Sequence, residues 1–113
     1  MLSKKYRFHS RGGVRYVYQK GKTIRTPKMS LVFCDNSRGF TRIAVVISKK
    51  VIKTAVGRNR VRRRIYECLR KNFEDIPKER DYIFVVYNKD VKTIPYKDLE
   101  NLLADLINSS KNF

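Results

Sequence analysis

A chain of 113 residues is one domain's worth, and 42% apolar with 33% charged residues describes a globular protein rather than a disordered one. A formal charge of +17 excludes a balanced surface and points to a polyanionic partner. No apolar run approaches the roughly 18–20 residues of a membrane span, and the N-terminal residues lack the apolar stretch of a signal peptide, so no membrane partner and a cytoplasmic location are expected.

The charge is concentrated. Residues 1–28 hold nine Lys/Arg and no acid, residues 49–71 hold ten against Glu67, and residues 72–113 hold six against eight acids. A single RNA-binding domain over 1–113 is the expected organisation, with the basic stretch 1–9 mobile. Cys34 and Cys68 have no neighbouring sulfur or histidine in sequence, as expected of free buried thiols in a reducing compartment.

In chain order, Ser10 is placed to cap a helix over residues 11–20, with Val14, Val17 and Tyr18 on one face and Gly21 ending it. A short strand is expected near residues 22–25. MSLVFC (29–34) and FTRIAVVIS (40–48) flank the turn-rich stretch 35–39, which reads as a β-hairpin with a five-residue loop. From Thr54 to about Phe73 the period changes. Val61, Ile65, Leu69 and Phe73 recur every fourth residue, joined on that face by Cys68 and Asn72. Asp75-Ile76-Pro77 closes this helix.

YIFVVY (82–87) is too short for a helix and reads as a buried strand, with Tyr82, Phe84 and Tyr87 in the core. Pro95 suits a helix start, where its missing N–H has no partner to lose. Leu99, Leu102, Leu103, Leu106 and Ile107 give an amphipathic helix to about Asn108. The expected fold is α+β, a small, mostly antiparallel four-stranded sheet packed with three helices in the order α-β-β-β-α-β-α.

Chemistry of its own is hard to build from these residues. His9 is the one histidine, in a basic N-terminal stretch, and no Ser/His/Asp or Cys/His set can be assembled. Asp75, Glu79 and Asp81 could hold a metal through carboxylates, but they read better as a solvated, charge-balancing loop. No Cys/His zinc spacing and no phosphate-cradling glycine motif is present.

The helix opening GRNRVRRRI is different. Solvated helix faces usually alternate acids and bases for i, i+4 support, yet residues 49–66 hold eight cations and no acid. Arginine suits RNA because its planar fork donates two hydrogen bonds to one phosphate and stays charged. Arg60, Arg63 and Arg64 are expected on the outer face, and Arg62 at its border. Lys49, Lys50 and Lys53 extend the patch towards the helix start, where free N–H groups also favour anions. Asn59 near the first turn can cap the backbone or hydrogen-bond RNA. Tyr16, Tyr18, Phe33 and Phe40 either stack on single-stranded bases or fill the core.

Taken together, Ser48-Lys49-Lys50-Val51, Lys53, Ala55-Val56, Arg58-Asn59-Arg60 and Arg62-Arg63 resemble the signature of the bacterial ribonuclease P protein subunit. The resemblance runs over nearly the whole chain, through Tyr6-Arg7, Gln19-Lys20-Gly21, Asp81-Tyr82 and the leucine-rich final helix. It implies a fold in the class named after the second domain of ribosomal protein S5. It also implies a small basic partner of a catalytic RNA, in which the RNA, with Mg2+ at its own active site, hydrolyses precursor tRNA to release the 5′ leader. The protein alone, expected to be monomeric, would be inactive.

The implied RNA-binding residues are Arg58, Asn59, Arg60, Arg62 and Arg63, with Lys49, Lys50 and Lys53 beside them, and the helical-face reading adds Arg64. The implied leader cleft lies between the first helix and the sheet; Tyr18 matches an aromatic position there, and Val14 stands where the family commonly has Phe, with Tyr16 nearby. The reading of the aromatics adds Phe33 as a further cleft candidate. The alternatives are a general RNA-binding module, such as a small ribosomal protein or RNA chaperone, and a self-sufficient nuclease.

Overall fold

The computed structural model describes residues 6–8 and 11–112. Three helices and four strands follow one another as α1 (Arg11–Lys20), β1 (Lys22–Arg25), β2 (Met29–Asp35), β3 (Arg42–Ile47), α2 (Ala55–Lys71), β4 (Arg80–Val86) and α3 (Tyr96–Ser110). Short 3-10 turns at Phe73–Asp75 and Lys89–Lys92 lead into β4 and α3. The order matches the sequence expectation. The cap proposed at Ser10 and the position of His9 lie outside the described residues.

The sheet runs β1-β2-β4-β3, with β1–β2 and β2–β4 antiparallel and β3–β4 parallel. The expected hairpin of β2 and β3 is therefore wrong: β4 lies between them. The physical reason is the character of β4. Tyr82, Ile83, Phe84 and Val86 are all buried, so both faces of this strand need cover and both edges need pairing. The loop after β2 straddles its start. The Asn36 N–H donates to the Glu79 carbonyl, the Asn36 side chain donates to Asp81 Oδ1 at 2.7 Å, and Arg42 forms a two-pronged pair with Asp81 at 2.9 and 2.8 Å. Asp81 is buried, and this fork and amide satisfy its charge.

Alternation along the strands separates two cores. Leu31, Phe84 and Val45 lie side by side across the register and face α2 and α3, with Val61, Ile65, Leu69, Leu99, Leu103 and Leu106. Val32, Ile83 and Ala44 face the other way, towards Val17 of α1 and Phe8. Gly21 ends α1 at a close approach: a Cβ there would collide with the carbonyl oxygens of Val17 and Phe33. Part of the N-terminal stretch expected to be mobile is seated. The Phe8 N–H donates to the Ile43 carbonyl at 3.0 Å, and Arg7 bridges the outer edge of β3.

Two aromatic expectations need correcting. Phe33 is 3% exposed in the α2/α3 core, stacked on Tyr82, and so cannot line a cleft beside α1. Tyr87, expected inside, is 41% exposed; its hydroxyl donates to the Thr26 carbonyl and accepts from Ser30 Oγ. One residue past the end of β4, its ring has left the pleat that would have buried it.

Candidate RNA interface

Thr54 caps α2: its backbone is extended and its Oγ1 accepts from the Gly57 N–H at 3.0 Å. Asn59, left open between cap and contact by the sequence, is therefore not the cap. It sits exposed in the second turn, where its Oδ1 accepts from Arg62 Nη1 at 3.1 Å and fixes that guanidinium.

The five arginines between residues 58 and 64 divide by task. Arg58 turns back and donates to the carbonyls of Ile52 and Lys53 at 2.9 and 3.0 Å, clasping the loop before the helix. Arg64 reaches across to the carbonyls of Val91 and Ile94, holding the turn before α3. This corrects its expected place on the outer face: it lies one helical position closer to the α3 side than Arg63 and is half-buried. Arg60 and Arg63 are exposed, with no acidic partner among the described residues, as are Lys49, Lys50 and Lys53. Lys53 and Thr54 also border a cup of about 350 Å³ shared with Lys89 and Lys92, two cations that sequence reasoning left out. Their position depends on the 3-10 turn at Lys89–Lys92, for which no periodicity gives a signal.

On the other side of the sheet, α1 and β3 enclose a cleft of about 420 Å³ lined by Val14, Arg15, Tyr18, Gln19, Ala44, Val45 and Val46. Tyr18 is 44% exposed at its rim, and Val14 is half-buried within it. Tyr16 is exposed on the other flank of α1, two residues from Tyr18 and hence about 200° round the helix. It lines a separate cavity with Gly13, Asn36 and Arg38. The cleft thus unites Val14 and Tyr18 and excludes Tyr16 and Phe33. Arg15 and Gln19 could have been found by stepping one residue along from Val14 and Tyr18.

The described residues offer little for covalent chemistry. Burial is the main cause raising both the Cys34 and the Cys68 thiol above the ordinary range, so neither is an activated thiolate. Both are free, Cys68 buried and Cys34 half-buried. Among the described residues no three His, Cys, Asp or Glu side chains converge to hold a metal, and no helix is long and apolar enough to cross a membrane. What the surface can do is bind: a row of exposed cations on α2 and its leading loop, and an apolar cleft rimmed by an aromatic ring and an arginine.

The family model for Ribonuclease P matches residues 2–111. The chain belongs to the ribonuclease P protein family. A ribonuclease P protein component from Clostridium botulinum (strain Langeland) is 37% identical over 82% of this chain and 83% of its own length. One from Finegoldia magna is 32% identical over 98% and 96%. The structure of the Staphylococcus aureus RNase P protein superposes with a TM-score of 0.82 at 23% identity, covering 94% of this chain and 95% of that one. The role that goes with the ribonuclease P family is tRNA 5′ processing, as the protein subunit of the enzyme.

Proposed function

We propose that this chain works as the RNA-binding partner of a catalytic RNA, and that the RNA, not the protein, hydrolyses the phosphodiester bond that frees the 5′ leader of precursor tRNA. Exposed Arg60, Arg63, Lys49, Lys50 and Lys53 dock on the catalytic RNA through its phosphates. The cleft between α1 and β3 receives the single-stranded leader, with Tyr18 offering a ring to a base and Arg15 a charge to the backbone. Holding both RNAs fixes the leader relative to the cleavage site and lowers the entropic cost of productive alignment. The observation that carries this reading is the dense row of exposed cations on α2 and its leading loop, none with an acidic partner among the described residues. On this reading magnesium is bound by the RNA, where it would supply charge stabilisation at the scissile phosphate. The working location on this reading is the cytoplasm, and the protein alone is a monomer.

Reconstitution tests the division of labour. The purified protein should leave precursor tRNA intact, and adding it to the catalytic RNA under limiting magnesium should raise cleavage. Cleavage by the protein unaided would overturn the proposal.

A further inference from the structure

Arg7 carries the one buried side-chain nitrogen or oxygen that has no hydrogen-bond partner among the described residues, its Nε. Its guanidinium lies 5.7 Å from the centroid of the Tyr66 ring. That contact satisfies the face of the cation but none of its in-plane N–H donors. Buried donors in native proteins are almost always paired, and a half-buried cation with no counter-charge among the described residues is costly. The local electrostatics sharpen the anomaly. Tyr66 is buried on α2, and the charges acting on its hydroxyl among the described residues are those of Arg7 and Arg62. Burial is the main influence and raises its pKa, so the hydroxyl keeps its proton and remains a donor.

Position says what could fill the gap. Arg62, held by Asn59, belongs to the cationic face of α2. The Val45 backbone acts on the Tyr66 hydroxyl, favouring its ionised form, and Val45 also lines the α1–β3 cleft. Arg7 itself runs beside Ile43, two residues before Val45, on the outer edge of β3. The corner therefore lies where the docking face of α2 meets the cleft. It presents two guanidinium groups and a phenol to a ligand that must be anionic and rich in acceptor oxygens. A phosphodiester meets both demands, and arginine forks match its geometry.

We propose that Arg7, Arg62 and the Tyr66 hydroxyl form a phosphodiester site at the outer edge of β3, which grips one backbone phosphate of RNA passing between the α2 face and the α1–β3 cleft. This rests on the RNA-docking reading above and adds a site to it, with Arg7 as its central donor. The phosphate can come from the catalytic RNA or from the substrate leader, and the experiment separates the two.

Binding of Arg7→Gln and Arg7→Lys variants to the catalytic RNA is measured against salt. On the reconstituted ribonucleoprotein, binding of precursor tRNA is compared with that of mature tRNA. Arg60→Ala serves as the control for the docking face. Arg7→Gln should lose about tenfold in affinity in one arm, as expected for one charge-assisted contact, and Arg7→Lys should regain part of it. A loss towards the catalytic RNA, with the log–log salt slope lower by about 0.9, assigns the phosphate to that RNA; a loss confined to leader-bearing substrate, with a change of about 0.7, assigns it to the leader. In the unmodified protein, the Arg7 Nε–H resonance should shift on adding the same RNAs, a readout that needs no variant to fold. Unchanged slopes in both arms and an unmoved resonance, while Arg60→Ala still flattens the slope, would overturn the site and leave the docking reading intact. If Arg60→Ala also has no effect, the docking reading fails, and this site with it.

Discussion

On one face of the sheet, α2 and α3 bury Leu31, Phe84, Leu99, Leu103 and Leu106 to 1% exposure or less. On the other, α1 seals Val17, Val32 and Ile83 but leaves Val46 only half-buried and Tyr18 44% exposed at the rim of the cleft. Both faces use the same strands, so the difference lies in the helices. Two helices of 15 and 17 residues cover the first face, and one of 10 covers the second. Apolar burial on the closed face sets the stability of the domain. The open face keeps apolar surface that folding leaves in contact with water, and such surface is available to a ligand.

The largest test of that contrast is Phe84→Ala. Phe84 is fully buried at the centre of the closed face, paired across the register with Leu31 and Val45. Its truncation should cost about 3–5 kcal/mol and lower Tm by more than about 10 °C, read by calorimetry. A shift of only a few degrees would mean that the closed face is not where the stability resides.

Arg64→Ala comes next. Losing its bonds to the Val91 and Ile94 carbonyls strips two acceptors at the α2–α3 junction. The expected loss is about 2 kcal/mol of stability, seen in denaturant unfolding, with the salt dependence of RNA binding unchanged. A flatter salt slope at full stability would return Arg64 to the RNA-facing set.

Arg64 also shows where sequence reading stops. The four-residue spacing of Val61, Ile65 and Leu69 fixes the axis of α2 and its buried side, and those residues are buried as expected. Spacing cannot say that an arginine at the border will find two carbonyls on the turn before α3, because those carbonyls reach it only through the tertiary fold. The same holds for the β2–β3 pairing. Two apolar runs around a turn look like a hairpin locally, and only the need of β4 for two neighbours, a non-local demand, separates them. Phe33 and Tyr18 were equally plausible cleft aromatics by composition. Strand alternation puts Phe33 on the α2/α3 face, and which face α1 would cover is not written in either segment. Arg7 gave no signal as a binding residue because its significance is a donor with no partner among the described residues, visible only once its surroundings are built.

Tyr18→Ala probes the open face directly. Stability should change little, since the ring is already 44% exposed. Binding of leader-bearing precursor to the reconstituted particle should weaken by roughly 1–3 kcal/mol, the range for a base stacked on an aromatic ring. Mature tRNA should bind as before. Equal loss for both substrates would remove Tyr18 from the leader path and make it a support for α1.

The smallest effects belong to Arg60→Ala and Arg63→Ala, and they bear on how the cationic face works. Both side chains are exposed with no acidic partner among the described residues, so each change should leave stability within about 0.5 kcal/mol. If each touches one duplex phosphate, each should lower the salt slope for catalytic RNA by about 0.9, and the double variant by about twice that. Additivity is expected because neither side chain is tied to the other or to a shared acceptor, unlike Asn59 and Arg62. A double variant that loses no more than either single one would show that the two arginines share one phosphate. The docking face would then be narrower than its row of charges suggests, with more of the affinity left to Lys49, Lys50 and Lys53 in the loop before the helix.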